Sequence, residues 1–198
     1  MNRYAMLMLS GCFCLTIGTV GPIHRADGEV IFPSKEETKK EVAASLSQMT
    51  LVKFPDKHFD FKYPKNWQEE EPKDGPMLCT FRDYKGLVSA RFAVEDLPPT
   101  ETLASYGKVT DDQIKQTMAA QKILVTTVDS KTITVSGVPA QQTIYTYNLP
   151  DTNVAVKVLQ VLTINKNRGY VFNYTAVSNM YDDFLGVIEA VIKSIELQ

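Results

Sequence analysis

Asp56, His58 and Asp60 are the residues whose types and spacing come nearest to a chemical site. In an extended segment, side chains two residues apart lie on one face, and an imidazole with two carboxylates suits Zn²⁺ or Mn²⁺. A zinc site needs a fourth ligand and supporting hydrogen bonds, and the sequence indicates none. We therefore interpret the three as alternating polar residues of a solvent-facing strand edge, with metal binding as the open alternative.

Other combinations that support catalysis are missing from the sequence. After the N-terminal segment, His58 is the single histidine, so any Ser/His/Asp or Cys/His arrangement would have to use it. The chain has no GxSxG elbow, P-loop, HExxH or CxxC motif. The aspartate pairs at 111–112 and 182–183 are interpreted as residues at helix starts, where carboxylates complement the helix dipole. We predict a protein that is not an enzyme, with no catalytic, cofactor-binding or metal-binding residues.

The N-terminus has the layout of a secretory signal. Arg3 precedes an apolar run over residues 4–20, and a polar segment follows. We predict a signal peptide at 1–26 that is cleaved after Ala26, and therefore a periplasmic or secreted protein. Leu9-Ser10-Gly11-Cys12 also spells a lipobox, so lipidation of Cys12 and a membrane tether are the alternative.

The remaining cysteine is interpreted as a core residue. With Cys12 and Cys14 removed in the signal, Cys79 is alone and cannot form an intramolecular disulfide. It lies in an apolar, strand-like run, where a free cysteine behaves as a small hydrophobe.

Charge excludes one class of partner. The chain has 21 basic and 23 acidic residues, and loss of Arg3 and Arg25 with the signal changes the balance to 19 − 23, or −4. A chain of this charge has no electrostatic attraction to a phosphate backbone, so we predict no nucleic-acid partner.

The rest of the chain predicts a polar leader helix at 27–49 and one globular domain at 50–198. Ser34 and Glu37 form a capping box that starts the leader helix. Helical segments are predicted at 101–106, at 110–121 behind a Thr110 cap, and at 184–195, where apolar residues recur every three or four positions. The predicted strands are 50–54, 59–63, 76–81, 87–94, 122–128, 131–135, 142–147, 154–164 and 170–176.

A succession of short motifs resembles the PsbP-like superfamily over residues 50–198. The motifs are Phe61-x-Tyr63-Pro64-x-x-Trp67, the turn Gly137-Val138-Pro139-Ala140, the strand at 170–176 and a closing helix that ends at Ser194-Ile195. The resemblance implies an α+β fold in which a central antiparallel sheet has helices on both faces, an α/β/α sandwich. That fold occurs in the PsbP extrinsic subunits of photosystem II and in a related nuclear-transport factor that binds the Ran GTPase.

Together these observations predict an exported, non-catalytic accessory protein. We expect a monomer that docks to an envelope or membrane-associated protein partner through its sheet or loops. The first alternative is a small-ligand carrier with an aromatic-lined pocket, and an enzyme is the third. The aromatic residues that a carrier could use are Phe59, Phe61, Tyr145, Tyr147, Phe172 and Tyr174.

Overall fold

A seven-stranded antiparallel sheet is the centre of the structure, which is a computed structural model. It describes residues 25–26, 29–30, 32–70, 77–83, 85–150, 152 and 154–198, so Cys12 and the apolar run of the predicted signal lie outside the described residues. In chain order the elements are β1 (Arg25–Ala26), β2 (Glu29–Val30), α1 (Lys35–Ser47), β3 (Met49–Phe54), β4 (Phe59–Pro64), β5 (Gln68–Glu70), β6 (Met77–Arg82), β7 (Val88–Asp96), α2 (Leu103–Ala120), β8 (Thr126–Val135), β9 (Val138–Asn148), β10 (Ala155–Asn165), β11 (Arg168–Val177), α3 (Ser178–Lys193) and β12 (Glu196–Leu197).

The strands of the large sheet follow the order β5-β6-β7-β11-β10-β9-β8. Two tight turns set much of this order. Lys166 and Asn167 join β10 to β11, and Ser136 and Gly137 join β8 to β9, all four with positive φ. Two consecutive left-handed residues give a turn whose twist matches that of paired strands.

The two faces of the large sheet carry different layers, as the α/β/α prediction requires. One face, here called the core face, carries Phe92 and Phe172 and is covered by α3 and by a small sheet of order β12-β4-β3. Phe61 of β4 stacks on Phe92 with ring centroids 3.9 Å apart. The opposite face, here called the α2 face, contacts α2 chiefly along β9 and β10. The predicted α+β fold is confirmed.

The segment after β7 forms one helix, where the sequence predicted two. Thr102, rather than Thr110, caps α2, and its hydroxyl accepts from the backbone N–H of Ser105. Thr110 instead lies buried on the sheet-facing side. The pair at 111–112 consequently lies inside the helix, where both carboxylates accept from lysines one turn away. The pair at 182–183 also lies beyond the first turn of α3.

Helix α1 starts at the predicted capping box but is more than a solvated leader. It contacts α3, and Val42 packs against the main hydrophobic cluster. The buried indole Nε1 of Trp67 donates to Ser45 Oγ across 3.0 Å. Helix α1 supplies the acceptor for this buried donor. The hydrogen bond therefore joins α1 to the rest of the fold. Among the described residues, no helix is long and apolar enough to cross a membrane.

Candidate functional site

A row of polar side chains crosses the α2 face from one edge of the large sheet to the other. Residues paired across neighbouring strands lie side by side on one face, so the strand register identifies the row directly. We call it the polar row. From β5 to β8 it consists of Glu70, Thr80, Arg91, Asn173, Gln160, Thr143 and Ser130.

Gln160 is the most buried residue of the polar row and the least expected one in it. It interrupts β10, which is otherwise mostly apolar and buried, and its own side chain is 1% exposed. Its Nε2 donates to Asn173 Oδ1 across 3.0 Å. Further along the row, the hydroxyls of Ser130 and Thr143 lie 3.3 Å apart. A buried glutamine held by an asparagine on the next strand gives the row a fixed geometry.

The polar row separates two apolar clusters beneath α2. On one side, Tyr106 of α2 packs with Leu162 and Val171 of the sheet. On the other side, Ile114 and Met118 of α2 pack with a larger set of sheet and loop residues. The helix therefore crosses the row between two apolar attachments. That larger set consists of Ile123, Tyr145, Tyr147, Leu149, Val156 and Val158.

Where α2 crosses the polar row, its residues are small or polar. Gly107 lies against Gln141 so closely that a Cβ at 107 would be 2.0 Å from the Gln141 Oε1. One turn later, Thr110 is 2% exposed. Gln160 Oε1 and Thr110 Oγ1 are both buried with no hydrogen-bond partner among the described residues. A buried polar atom without a partner costs about 1–3 kcal/mol, so packing alone does not account for these residue types.

Away from the Tyr106 contacts on β7 and β11, the α2 face of these strands carries polar residues. The rung next to the polar row continues with Arg82, Ser89 and Thr175 on β6, β7 and β11. We call Arg82, Ser89, Arg91, Asn173 and Thr175 together the polar half. Arg91, Asn173 and Thr175 are half-buried, whereas Ser89 and Arg82 are buried, and Arg82 Nε donates to Glu70 Oε1 across 2.8 Å.

Charged residues of the polar half and of α2 shift the pKa values of two buried tyrosines beside the helix. Burial raises the pKa of Tyr147 to about 12, and the positive charge of Arg91 opposes that rise, so the guanidinium acts on this hydroxyl. Burial also raises the pKa of Tyr145, and the Asp111 carboxylate of α2 raises it further. Both tyrosines therefore stay neutral at physiological pH. The polar half carries guanidinium, amide and hydroxyl groups, which are groups common in binding surfaces.

The structure does not place Asp56, His58 and Asp60 on one extended face. Residues Pro55–Lys57 form a 3-10 turn, and His58 follows it with φ 53° in the left-handed region. Arg168 Nη1 donates to the Asp56 carbonyl, and the Tyr170 hydroxyl donates to the Lys57 carbonyl. These bonds hold the turn against β11. The expectation of a polar strand edge is wrong here because the proline starts a turn instead.

Asp60 lies apart from the other two members of this predicted group. It is 5% exposed within β4, and its Oδ2 accepts from Gln198 Nε2 across 3.0 Å. Asp56 and His58 are exposed. Within the described residues, no three histidine, cysteine or acidic side chains are grouped so as to hold a metal ion.

The aromatic residues considered for a carrier pocket are divided between the two faces of the sheet. Phe59, Phe61, Phe172 and Tyr174 belong to the main cluster on the core face, whereas Tyr145 and Tyr147 belong to a cluster on the α2 face. On the core face the rings touch one another, as in the Phe59–Phe61 pair with centroids 5.2 Å apart. These six rings therefore fill two cores and do not enclose one cavity.

Cys79 is a core residue, as predicted. It is 1% exposed, and burial, with a smaller contribution from the Glu69 charge, raises the pKa of its thiol. A thiol whose pKa is raised forms little thiolate, so it is a poor nucleophile.

The sequence profile of the PsbP-like protein family matches residues 12–197, nearly the whole chain. The chain belongs to the PsbP-like protein family. A comparison with curated proteins found no match. The resemblance inferred from the motifs is thereby confirmed.

Solved structures show how far the fold is shared. Cyanobacterial PsbP from Synechocystis sp. superposes with a TM-score of 0.64 at 16% identity, over 78% of this chain and 94% of that one. The Ran-binding protein Mog1p of Saccharomyces cerevisiae superposes with a TM-score of 0.54 at 8% identity, over 76% of this chain and 95% of that one. At such low identity these two proteins show a common fold and no more.

Proposed function

We propose that this PsbP-like protein is an exported, non-catalytic accessory protein that docks a protein partner on its polar half. The observation that carries the proposal is the polar row, which crosses a sheet face that packing alone would make apolar. The related folds are compatible with such a role, since one of them is described as a Ran-binding protein. Binding surfaces are commonly placed on rigid sheets of this kind.

The chemistry of the polar half indicates the type of surface that it would bind. Arg91 is half-buried and lies beside Asn173 on the next strand. The Asn173 Oδ1 accepts from Gln160 Nε2, which fixes the position of this amide. A guanidinium is positively charged and planar, and both properties suit recognition of a carboxylate. We therefore expect the partner to present aspartate or glutamate side chains here.

Affinity capture from envelope extracts tests the proposal, with the protein and an Arg91→Gln variant as parallel baits. The variant removes one charge from the polar half, and a hydrogen bond to a charged group contributes about 1.5–3 kcal/mol. Capture of the true partner should then weaken by about ten-fold or more in Kd. The matched control is Lys53→Gln, which removes an exposed charge from β3 on the small sheet.

The pattern of capture decides between the functions. A protein retained by the native bait and by Lys53→Gln, but lost with Arg91→Gln, supports docking on the polar half. Equal capture by all three baits places the binding surface elsewhere, and steady turnover of any substrate would show an enzyme. Circular dichroism of each bait confirms that a lost contact is not a lost fold.

Export is the second part of the proposal, and it has its own measurement. Mass spectrometry of the protein purified from its native cells should give a chain that starts near Asp27. A diacylated Cys12 would instead show a lipid-tethered form, and a full-length mass would refute cleavage. The result is independent of the docking surface, so either part of the proposal can fail alone.

A further inference from the structure

Strand β8 forms an outer edge of the large sheet and is exposed along most of its length. It has ten residues, and positions 126–132 are all exposed. Within the described residues, β9 is the one strand that pairs with it. A strand in this position presents a row of backbone N–H and C=O groups that are free to pair with another strand.

Two of the usual protections of an edge strand, short length and proline, are missing from β8. Edge strands are commonly short, charged, interrupted by proline or bulged, and the charges of β8 are Asp129 and Lys131. Here the strand is long and contains no proline, and a register shift between Thr127 and Asp129 is its one irregularity. Two large apolar side chains are exposed near that end, Val128 at 57% and Leu124 at 84%. Exposed apolar residues beside an open edge favour a partner that covers them.

The charges of β8 are complementary to those of a second β8 in one register. Asp129 and Lys131 lie on the same face, one on each side of Ser130. In an antiparallel pair with Ser130 opposite itself, Asp129 faces the partner's Lys131, and symmetry repeats the contact. Moving the centre by one residue in either direction places Asp129 or Lys131 opposite its own copy, and like charges directly opposite are destabilising.

We propose that β8 pairs antiparallel with β8 of a second copy of this chain, with Ser130 on the two-fold axis. The two large sheets would join into one continuous sheet, with Val128 of each copy inside the pairing, two residues from Ser130, and Leu124 just beyond its end. A contact of this size belongs to the smallest class of specific interfaces, so the dimer forms reversibly with concentration. The inference is independent of the proposed partner on the polar half, and it departs from the monomer expected from the sequence.

Charge reversal with mixing tests the register. Asp129→Lys gives four lysines in the pairing, and Lys131→Asp gives four aspartates, so each variant alone meets like charges at both symmetric contacts. A cross-strand charge pair contributes about 0.2–1 kcal/mol, and two attractive contacts become two repulsive ones. Each variant should therefore dimerise about ten-fold or more weakly than the native chain. An equimolar mixture of the two should recover association, because every lysine then faces an aspartate.

Sedimentation velocity over a concentration series measures this association. The sample is the protein in the form that its native cells produce. The matched controls are Asp112→Lys and Lys108→Asp, the same charge reversals at an exposed ion pair of α2. They should leave the native dimerisation unchanged, and circular dichroism should show that all four variants are folded. A native protein that stays monomeric to millimolar concentration overturns the proposal. So does a mixture of the β8 variants that associates no more strongly than either variant alone.

Discussion

Replacement of Gly169 by alanine should loosen the attachment of α2 to the sheet. Tyr106 of α2 lies directly over this glycine of β11, and an added Cβ would be 2.7 Å from the tyrosine Cζ and Oη atoms and 3.0 Å from Leu97 Cδ1. Real Cβ atoms do not approach other atoms so closely, so Tyr106 must move. Gly169 does not have a positive φ, so alanine is compatible with the backbone and the effect comes from the contact.

The expected loss in the free energy of unfolding has two sources, steric crowding and a weakened hydrogen bond. Excess volume in a packed site costs about 1–3 kcal/mol. The Tyr106 hydroxyl donates to Glu95 Oε1 across 2.5 Å, and burial already raises the pKa of that carboxyl while the tyrosine bond lowers it. Displacing the ring weakens a bond to a charged acceptor, worth about 1.5–3 kcal/mol when intact. We expect a loss of about 3 kcal/mol, which for a domain of this size is about 6–12 °C in Tm.

Thermal unfolding followed by circular dichroism measures the loss, with Gly186→Ala as the matched control. Gly186 is inside α3, and a Cβ there would meet nothing within 4 Å. The same substitution should therefore stabilise this helix by about 0.5–1 kcal/mol, the ordinary gain of alanine over glycine.

A double-mutant cycle shows whether Tyr106 is the cause. Leucine at this position is smaller than tyrosine and lacks the hydroxyl, so Gly169→Ala should cost much less in a Tyr106→Leu background. Contacting residues usually show such coupling. A Tm for Gly169→Ala within about 2 °C of the native protein, less than 1 kcal/mol, would refute the predicted clash. Losses that simply add in the double variant would refute the role of Tyr106.

Two further predictions concern buried polar groups. Ser45→Ala should cost about 1–3 kcal/mol because it leaves the buried indole N–H of Trp67 without its acceptor, whereas Ser47→Ala on the exposed side of α1 should change stability by less than about 0.5 kcal/mol. Trp67 is the single tryptophan, so urea unfolding followed by its fluorescence measures both, and equal losses would contradict the role of Ser45. Burial raises the pKa of the Asp83 carboxyl in the folded protein. In the unfolded chain this carboxyl ionises at a lower pH, about 3.9. The free energy of unfolding therefore falls as pH rises from there through the folded pKa. Asp83→Asn removes this loss, so Tm of the variant minus Tm of the native protein should increase from about pH 3 to about pH 7; a constant difference would refute it.

Local patterns in the sequence predict several elements of the fold well. The alternation in β4 identifies its buried aromatic face, the capping box identifies the start of α1, and the spacing of apolar residues identifies α3. Each signal is contained within about ten to fifteen residues. Local pattern predicts two helices where α2 is one, because Thr110 has the residue type of a helix cap and its burial against the sheet is not visible in the sequence.

The polar row could not be predicted in the same way. Its members lie between residues 70 and 173, and the row exists only in the register that joins six neighbouring strand pairs. One of these pairs, β7 with β11, connects strands that are far apart in sequence. The one local signal is Gln160 within an apolar strand. A glutamine in that setting indicates a polar neighbour on an adjacent strand but does not identify it.

The α2 helix and the polar row depend on each other. Apolar contacts on both sides of the row, through Tyr106 and through Ile114 and Met118, provide the attraction that fastens the helix. Near the row, Gly107 of the helix lies against the side-chain amide of Gln141. Thr110 Oγ1 is buried there and has no hydrogen-bond partner among the described residues. Apolar contacts thus stabilise the two ends of the helix, whereas its middle adds little to the attachment. A buried glutamine whose Oε1 has no hydrogen-bond partner among the described residues lowers stability, and such costs are typical of functional sites. The part of the row that α2 leaves uncovered is therefore where a partner should be sought.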